Sequence, residues 1–468
     1  MVIKNTSGLP VVCIQGLGFV GSAMATAVAA SKNEKNEPRY YVVGIDLPTK
    51  EGKRRIEKIN HGEFPFETSD EKLKEIIKQV HLQGNLKATT DDSVYESADI
   101  VVVDIHLDIN WQKNPPSIEL KGFEKAISLL GKKMKPGSML LLETTVPPGT
   151  TKNIVVPIIE KELKKRNLSP SDILVAHSYE RVMPGKNYFD SIVNYWRVYA
   201  GHTEEAADRC ESFLKTIINT DKYPLTRLHN TTASELAKVL ENTYRAVNIA
   251  LMDEWAIFAE SIGVDLFQVV EAIRMRPTHN NMRTPGFGVG GYCLTKDPLF
   301  GQVAAREIFD MDTLKFPFSS SAVQINQQTP IRILHEIEKL LNGLHGKTLI
   351  LLGVSYRPDV GDTRYSPSET FYREAIGKGA RVLVHDPIVK YWEEIGLNVA
   401  QSLPYPKHID AIILAVPHSE YKNIDYLNWI GNQKPLFFDG FNVLSNDIKK
   451  KLKHHGCIVK AIGIGEES

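Results

Sequence analysis

A glycine-rich segment that ends in a cysteine is the part of the sequence that most directly suggests chemistry. It reads Gly-Phe-Gly-Val-Gly-Gly-Tyr-Cys over residues 286–293, and Lys296 and Asp297 follow it closely. Because glycine has no Cβ and tolerates positive φ, such a loop can fold closely around a ligand. A thiol on this loop, with charged neighbours, is typical of a nucleophile. Cys293 is therefore a candidate nucleophile, and a small buried structural cysteine is the alternative.

A second glycine motif, Gly-Leu-Gly-Phe-Val-Gly at residues 16–21, predicts a dinucleotide site. It follows an apolar, strand-like segment and opens a helical one. In this context Gly16 permits the turn, Gly18 allows close approach of a pyrophosphate, and Gly21 lets the helix pack on the strand. A second strand-like segment ends in Asp46, whose carboxylate can bind ribose hydroxyls. An acidic residue there, in place of an arginine, favours NAD over NADP.

Further candidates lie on a long helical pattern and at strand ends. Lys238 and Asn242 are four residues apart, which places them on one helix face, away from much of the apolar stripe. That face is free to line a cleft, whereas a solvated Glu235/Lys238 surface pair is the alternative. Glu-Thr-Thr-Val-Pro-Pro-Gly-Thr at residues 143–150 and His-Ser-Tyr-Glu-Arg-Val-Met-Pro-Gly at residues 177–185 each follow a strand-like segment. Ligands bind at such carboxyl ends of parallel strands.

The bulk properties exclude several classes of protein. Lys plus Arg and Asp plus Glu each number 56, so no net basic field attracts nucleic acid or an anionic membrane. No apolar run approaches the roughly 20 residues that span a bilayer, and the N-terminus lacks the apolar segment of a signal peptide. The four cysteines are scattered without a Cys-x-x-Cys pair, which argues against a metal site and a disulfide framework. A reducing, cytoplasmic location is expected.

Strand-like and helical segments alternate in the first half of the chain and again near its end. The strand-like segments are residues 11–15, 41–46, 99–104, 138–143, 173–176, 197–200, 348–352, 381–384, 411–416, 436–438 and 458–461. The helical segments include residues 21–30, 71–80, 234–260, 270–274, 297–308 and 368–378. This order predicts an α/β fold with two Rossmann-like, doubly wound domains joined by a central helical domain that contains one long helix. The expected boundaries are 1–228, 229–330 and 331–468.

Taken together, these motifs resemble the UDP-glucose/GDP-mannose dehydrogenase family over nearly the whole chain. Ser-Tyr-Arg-Pro-Asp-Val-Gly-Asp-Thr-Arg at residues 355–364 adds to the resemblance. The resemblance implies that the C6 alcohol of a nucleotide sugar is oxidised to a carboxylate with two NAD and one water. It also implies a homodimer or higher homo-oligomer, assembled through the middle domain.

The resemblance assigns roles to the candidate residues. Cys293 would carry a thiohemiacetal and then a thioester, which water hydrolyses. Lys238 and Asn242 would stabilise oxyanions, since a cationic donor and an amide suit that role. Asp297, together with Thr145, would position and activate water.

The remaining assignments concern acid–base chemistry and ligand binding. Glu180 would act as an acid or base near the thioester step. Arg364 would reach the NAD pyrophosphate, Arg357 would contact the sugar nucleotide, and the third domain would bind the nucleotide of the substrate. The expected cofactor-binding residues are Gly16, Gly18, Phe19, Val20, Gly21, Asp46, Thr145 and Arg364. The expected substrate-binding residues are Glu180, Arg181, Lys238, Asn242, Arg245, Asn248, Gly290, Tyr292 and Arg357.

The motif details favour a UDP-N-acetylhexosamine as the substrate. The Gly-Val-Gly-Gly at residues 288–291 is closer to that branch, whereas the UDP-glucose branch more usually has Phe-Gly-Gly-Ser before the cysteine. Arg181, Arg245 and Asn248 would line the substrate site, and surface or interdomain salt bridges are the alternative reading for them.

Three departures from the family pattern stand out. Ile-His-Leu-Asp-Ile at residues 105–109 replaces a Val-Pro-Thr-Pro-like turn, and Tyr179 replaces a common proline. The arginine usual before the glycine loop is displaced, with Arg276 and Arg283 available instead. UDP-glucose 6-dehydrogenase, a two-electron β-hydroxyacid dehydrogenase and a non-catalytic nucleotide-sugar-binding relative are the alternative functions.

Overall fold

The chain divides into two units in a computed structural model that describes residues 8–111, 113 and 116–465. Unit 1 comprises the described residues up to Leu240 together with Phe300–Lys315, and unit 2 comprises Glu241–Leu299 together with the described residues from Phe316 onward. The helix Thr231–Ser261 contributes residues to both units.

The strands, numbered in chain order, include long buried ones and short surface pairs. They are β1 Val11–Gln15, β2 Tyr41–Ile45, β3 Leu86–Thr89, β4 Ile100–Val103, β5 Ile109–Asn110, β6 Ser117–Ile118, β7 Ser138–Leu142, β8 Ile173–His177, β9 Val198–Gly201, β10 Thr226–Arg227, β11 Thr348–Leu352, β12 Arg381–His385, β13 Tyr391–Trp392, β14 Leu397–Asn398, β15 Ala411–Leu414, β16 Leu436–Asp439 and β17 Val459–Ala461.

The helices connect most of these strands. They are α1 Phe19–Ala30, α2 Lys50–Asn60, α3 Glu71–Gln83, α4 Lys121–Lys133, α5 Val156–Lys165, α6 Asp190–Val193, α7 Glu204–Leu214, α8 Thr231–Ser261, α9 Leu266–Arg274, α10 Phe300–Glu307, α11 Pro317–Leu340, α12 Pro367–Gly377, α13 Tyr426–Ile430 and α14 Asn446–His455.

Unit 1 is built on an eight-stranded sheet with the order β10-β9-β8-β7-β4-β1-β2-β3. Strands β1, β4 and β7 are buried along their whole length, as expected for parallel strands covered by helices on both faces. The chain order reverses between β1 and β4, and this switch point is where ligands bind in open α/β sheets. One pair departs from the expected parallel arrangement, because β9 runs antiparallel to β8.

Unit 2 contains a five-stranded sheet with the order β12-β11-β15-β16-β17, in which every neighbouring pair is parallel. Its apolar core includes Leu349, Leu351, Phe371 and Trp392, which are all fully buried. Helix α11 packs against α12 and contains Pro330 within its length. The switch point of this sheet lies between β11 and β15.

The two α/β sheets and the long helix α8 confirm the predicted fold class. The apolar stripe of α8 is only partly buried. Leu240, Tyr244 and Trp255 of that stripe are exposed, whereas the polar Glu235 and Lys238 are buried. None of the helices within residues 8–111 and 116–465 combines the length and apolar character that a bilayer-spanning segment needs.

Candidate active site

The turn between β1 and α1 has the geometry of a pyrophosphate-binding loop. Gly16 has a φ of +97°, and a Cβ there would lie 2.7 Å from the carbonyl oxygen of Asp104. A Cβ at Gly21 would lie 1.9 Å from the carbonyl oxygen of Gly16. Around Gly18 no atom lies within 4 Å of an added Cβ, and no side chain caps the N-terminus of α1 there. The N-terminus of α1 therefore faces open space suited to an anion, which fits the pyrophosphate of NAD.

The side chains beside this loop are held by neighbours. The Phe19 ring stacks on Phe66 with 3.9 Å between the ring centroids, and the Tyr188 hydroxyl donates a hydrogen bond to the Phe19 carbonyl. Asp46 follows β2, as predicted, and accepts hydrogen bonds from the backbone N–H of Leu47 at 2.8 Å and from Arg55 at 3.1 Å. Arg55, on α2, was not identified from the sequence as a partner of Asp46. The signal was present, because α2 is the helix that follows Asp46 and it contains arginines.

The segment of residues 143–151 is anchored to helix α8 by Glu235. Its carboxylate accepts hydrogen bonds from the N–H of Gly149 at 2.6 Å and from the N–H and hydroxyl of Thr151 at 2.7 and 2.6 Å. Burial raises the pKa of Glu235 to about 7, and these hydrogen bonds limit the rise. The reading of Glu235 and Lys238 as a solvated surface pair is therefore wrong. The Thr144 hydroxyl donates a hydrogen bond to the Ile105 carbonyl oxygen at 2.7 Å, while Thr145 is partly exposed.

Lys238 points toward Glu180, another predicted catalytic residue of unit 1. Its ammonium donates to the Glu180 carbonyl oxygen at 2.8 Å and lies 3.6 Å from Oε1 of the same residue. The ammonium also lies 5.4 Å from the centroid of the Tyr179 ring. Arg181 packs over the same ring at 5.2 Å and donates to the Tyr179 hydroxyl at 3.0 Å and to the Trp196 carbonyl at 2.8 Å. Tyr179, noted as a departure, thus organises the Glu180 region.

Helix α8 is also fixed to the end of β8. The His177 ring is fully buried, and its Nδ1 lies 2.8 Å from the Ser234 hydroxyl. Burial lowers the pKa of His177 to about 3, so the ring stays neutral at physiological pH. This contact positions the unit 1 part of α8, and with it Lys238, at the carboxyl end of β8.

In unit 2, the cysteine loop lies against the carboxyl ends of β11 and β16. A Cβ at Gly290 would lie 2.6 Å from the Tyr365 carbonyl oxygen, and one at Gly291 would lie 2.7 Å from the Tyr356 ring. A Cβ at Gly286 would lie 2.5 Å from the Phe441 ring. The glycines are therefore needed for close packing onto the strand ends, where ligands bind in such sheets.

The loop presents Cys293 at the surface. Cys293 is exposed, whereas the other three cysteines are buried, and none forms a disulfide. Its carbonyl oxygen accepts hydrogen bonds from the N–H groups of Lys296 at 3.2 Å and Asp297 at 2.9 Å. This tight turn fixes the backbone of Asp297 to that of Cys293.

Asp297 is fully buried and is held by two donors. The Asn242 amide donates to Oδ2 at 2.8 Å, and the Lys296 ammonium contacts Oδ1 at 2.8 Å. The structure therefore brings two predicted catalytic residues, Asn242 and Asp297, into direct contact. Lys296 was noted in the sequence beside the cysteine but was given no role there.

Tyr292 and Arg364 form a cation–aromatic cluster next to Cys293. The Tyr292 ring lies 4.7 Å from the Lys296 ammonium and 5.4 Å from the Arg364 guanidinium. Arg364 also pairs with Asp362 through Nη2 at 2.8 Å and Nε at 3.0 Å. Burial opposes the charge of Arg364, but Asp362 raises its pKa above the usual value, with smaller contributions from Tyr356 and Cys293. Arg364 is thus placed beside the cysteine loop.

The buried side chain of His418 holds the segment that carries Arg357 and Arg364 in place through hydrogen bonds. Its Nε2 lies 3.1 Å from both the Ser355 hydroxyl and the Asp386 carboxylate. Its Nδ1 accepts the N–H of Asp359 at 3.0 Å. Arg357 itself is partly exposed at the edge of the sheet.

The remaining substrate candidates lie on the second half of α8. Asn248 accepts the N–H of Arg283 at 3.0 Å, so it anchors the loop that precedes the glycines. Arg245 is exposed one turn earlier on α8, and Arg276 begins the same loop. These placements leave the binding roles of Arg181, Arg245 and Asn248 as predictions.

Known protein families and individual proteins match this chain over most of its length. Models of the UDP-glucose/GDP-mannose dehydrogenase family match as NAD binding domain at residues 11–218, central domain at residues 232–328 and UDP binding domain at residues 350–446. A UDP-N-acetyl-D-mannosamine dehydrogenase from Methanocaldococcus jannaschii is 29% identical over 472 residues, covering 100% of this chain and 99% of that protein.

Proteins from Pyrococcus horikoshii are similar in sequence and in structure. A UDP-N-acetyl-D-mannosamine dehydrogenase from this organism is 29% identical over 465 residues, covering 97% of this chain and 99% of that protein. The solved structure of a UDP-D-ManNAc dehydrogenase from the same organism matches with a TM-score of 0.82 at 27% identity, covering 98% of this chain and 100% of that one. The chain therefore belongs to the UDP-glucose/GDP-mannose dehydrogenase family and is an NAD-dependent nucleotide-sugar dehydrogenase.

Proposed function

We propose that the protein oxidises the C6 alcohol of a UDP-N-acetylhexosamine to the corresponding uronic acid through a thioester on Cys293. The observation that carries this proposal is the exposed thiol of Cys293, on a glycine loop whose next turn holds a buried carboxylate between Asn242 and Lys296. The names of the similar proteins from Methanocaldococcus jannaschii and Pyrococcus horikoshii support N-acetylmannosamine as the first sugar to test.

The four-electron chemistry gives each residue a defined task. When bound, NAD accepts a hydride in each of the two oxidation steps. The alcohol loses a proton and a hydride to become an aldehyde, and the Cys293 sulfur then adds to its carbon as a thiohemiacetal. A second loss of a hydride and a proton leaves a thioester. Water adds to the thioester carbon, the carbon–sulfur bond breaks, and the carboxylate leaves with Cys293 restored as a thiol.

The surrounding side chains would control charge and protons in these steps. Lys238 and Asn242 are donors that would stabilise the oxyanions. Asp297, with Thr145, would take a proton from the attacking water, and Glu180 would exchange protons near the thioester. The hydrogen bonds that hold Asn242 to Asp297 and Lys238 to Glu180 support these assignments, because a catalytic group must be held in a fixed position.

The proposed binding roles are those that the resemblance to the family implies. Gly16, Gly18, Phe19, Val20 and Gly21 would hold the pyrophosphate half of NAD, and Asp46 would bind a ribose. Arg364 would reach the same pyrophosphate. The proposed substrate-binding residues are Arg181 in unit 1 and, in unit 2, Arg245, Asn248, Gly290, Tyr292 and Arg357.

The matched family regions support a division into three domains at about residues 228 and 330. A reducing, cytoplasmic location is part of the proposal, because it would keep Cys293 as a thiol.

A second copy of the chain is the proposed protein partner. In unit 2, α8 exposes Tyr244, Leu251, Trp255 and Phe258, and the exposed Ile262 follows directly after the helix; these residues recur at helical spacing and form one apolar strip. A helix strip of this kind is unfavourable in water, and a symmetric pairing would bury it.

The decisive experiment measures NADH formed per sugar consumed. The substrates are UDP-ManNAc, UDP-GlcNAc, UDP-GalNAc, UDP-glucose and GDP-mannose. We expect two NADH for each UDP-N-acetylhexosamine, whereas two NADH with UDP-glucose alone would assign that sugar instead. One NADH would indicate a two-electron hydroxyacid-type enzyme, and none with any sugar would indicate a binding protein.

Cys293→Ser should abolish acid formation, while the matched control Cys457→Ser, at a buried position, should retain it.

A further inference from the structure

Two carboxyl groups end neighbouring strands at the dinucleotide site. Strands β4 and β7 pair in parallel with Val103 opposite Leu142, so the residues that follow, Asp104 and Glu143, are neighbours across the sheet. Adjacent strands lie about 4.8 Å apart, and residues in register point to the same face. The register thus places the two side chains next to each other.

Each of these carboxyl groups has one buried oxygen without a hydrogen-bond partner among the described residues. These atoms are Oδ2 of Asp104 and Oε2 of Glu143. Asp104 as a whole is half-buried, but this oxygen is enclosed, and Glu143 is fully buried. The other oxygen of Glu143 accepts a hydrogen bond from Arg197, which is also buried. Buried polar atoms are normally paired, and a single proton placed between the two carboxyl groups would pair both oxygens.

The surrounding charges agree with one shared proton. Burial raises the pKa of Asp104 well above its usual value, and the neighbouring Glu143 and Glu180 raise it further, while Arg197 lowers it. Burial also raises the pKa of Glu143, against the opposing charge of Arg197. The buried thiol of Cys210 on α7 also interacts with Arg197 and Glu143, and burial raises its pKa. With one proton, Asp104, Glu143 and Arg197 carry no net charge.

This cluster lies directly beneath the glycine loop. The Asp104 N–H donates to the Gln15 carbonyl at 2.8 Å, and the Asp104 carbonyl oxygen is the atom that a Cβ at Gly16 would meet. A Cβ at Gly21 would lie 3.2 Å from Cβ of Asp104. Asp104 therefore occupies the switch point between β1 and β4, where the family motif and the sheet topology place the dinucleotide.

We propose that Asp104 and Glu143 share one proton and that this proton is required for tight binding of NAD at the glycine loop. Loss of the proton leaves one net negative charge, poorly screened because it is buried, close to the loop that receives two phosphate charges. Binding of NAD is then linked to retention of the proton: affinity is full while the pair is protonated and falls as the pH rises through its ionisation. Asp104 directly precedes residues 105–109, the segment that departs from the family pattern.

The test measures NAD and NADH binding without any sugar, so it is independent of the proposed oxidation. Dissociation constants are determined by NADH fluorescence and by titration calorimetry from about pH 6 to about pH 9. For the wild type, the dissociation constant should rise by up to about tenfold per pH unit above the ionisation, which is the slope for one linked proton. Asp104→Asn, which keeps a donor for Glu143 but cannot ionise, should bind tightly across this range. Asp108→Asn, at an exposed position of the same loop, should keep the wild-type slope.

Calorimetry in buffers of different ionisation enthalpy supplies a second readout. Wild-type protein should take up a proton as NAD binds above the ionisation, and Asp104→Asn should take up none. Equal pH slopes in the wild type and Asp104→Asn, or proton uptake that persists in this variant, would overturn the proposal. If Asp104→Asn does not fold, absence of proton uptake by the wild type across the whole range overturns it equally, and uptake supports it.

Discussion

The side-chain amide of Asn242 donates a hydrogen bond of 2.8 Å to the buried carboxylate of Asp297. The two residues are 55 positions apart, one on helix α8 and the other just after the cysteine loop. This bond ties the orientation of a proposed proton acceptor to that of a proposed oxyanion donor. The proposed water activation and oxyanion stabilisation would therefore depend on one shared contact.

The first prediction concerns this carboxylate. Asp297→Asn keeps the side-chain volume but removes the group that would accept a proton from water, so turnover should fall by roughly 10²–10⁴-fold. Because the oxidation steps precede hydrolysis, the thioester should accumulate on Cys293 and be visible as a substrate-mass adduct on the intact protein. Asp312→Asn, at an exposed position, is the matched control. Loss of turnover without any adduct would argue against a hydrolytic role for Asp297.

The glycine loop of unit 1 allows a prediction that separates folding from cofactor binding. A Cβ at Gly18 meets nothing within 4 Å, so Gly18→Ala should leave the melting temperature unchanged. The same methyl group would occupy the space proposed for the pyrophosphate and should weaken NAD binding by roughly tenfold, or about 1.4 kcal/mol. Gly16→Ala should instead lower the melting temperature, because Gly16 has a φ of +97° and lies against Asp104. Unchanged NAD affinity in Gly18→Ala would exclude that placement of the pyrophosphate.

The ring of Tyr292 carries a third prediction. Tyr292→Phe keeps the aromatic face that contacts Lys296 and Arg364, so stability and kcat/KM should stay close to those of the wild type. Tyr292→Leu removes both cation–aromatic contacts and should lower the free energy of unfolding by about 1–2 kcal/mol. Its kcat/KM should fall as well, because Lys296 also orients Asp297. Denaturant unfolding and steady-state kinetics on both variants check this, and equal behaviour of Phe and Leu would contradict it.

The sheets and the long helix could be predicted because their signals are local. Runs of apolar residues gave Val11–Gln15 and Thr348–Leu352 with correct bounds at both ends. Helix α2, Lys50–Asn60, was not predicted, since its sequence is dominated by charged residues and has only two large apolar side chains, Ile56 and Ile59. The antiparallel direction of β9 depends on how the chain returns to the sheet, which no strand pattern encodes.

Candidate site residues could be proposed from the sequence, but their contacts could not. Glu235 and Lys238 look like surface residues because their partners, Thr151 and Glu180, are more than 50 positions away in the sequence. Asp104 and Glu143 become neighbours only through the register of two strands. Whether a charged side chain on a helix is buried depends on such distant partners, and a single sequence does not reveal them.

Glu235 predicts a pH dependence of stability. Its pKa is raised to about 7 from an ordinary value of 4.5, so the folded state binds this proton more tightly than the unfolded state. The resulting stabilisation is complete below about pH 4.5 and is lost as the pH rises through about 7, with a total of about 3 kcal/mol as an upper bound. Glu235→Gln should show a flatter stability profile between these values in denaturant unfolding. Glu160→Gln, at an exposed position on α5, should keep the wild-type profile, and parallel profiles in all three proteins would refute the assignment.

The apolar strip on α8 leads to the last prediction. Trp255 and Phe258 are about half exposed, and their rings meet edge to face at 5.9 Å in the centre of the strip. If a second copy covers them, Trp255→Glu would place a charge inside that interface without a partner, which is strongly unfavourable. Analytical ultracentrifugation should then show a monomer for Trp255→Glu and a larger species for the wild type and for Glu254→Gln, an adjacent exposed control. A wild-type protein that sediments as a monomer at all concentrations would leave the strip to another role, and an unchanged oligomer in Trp255→Glu would move the interface elsewhere.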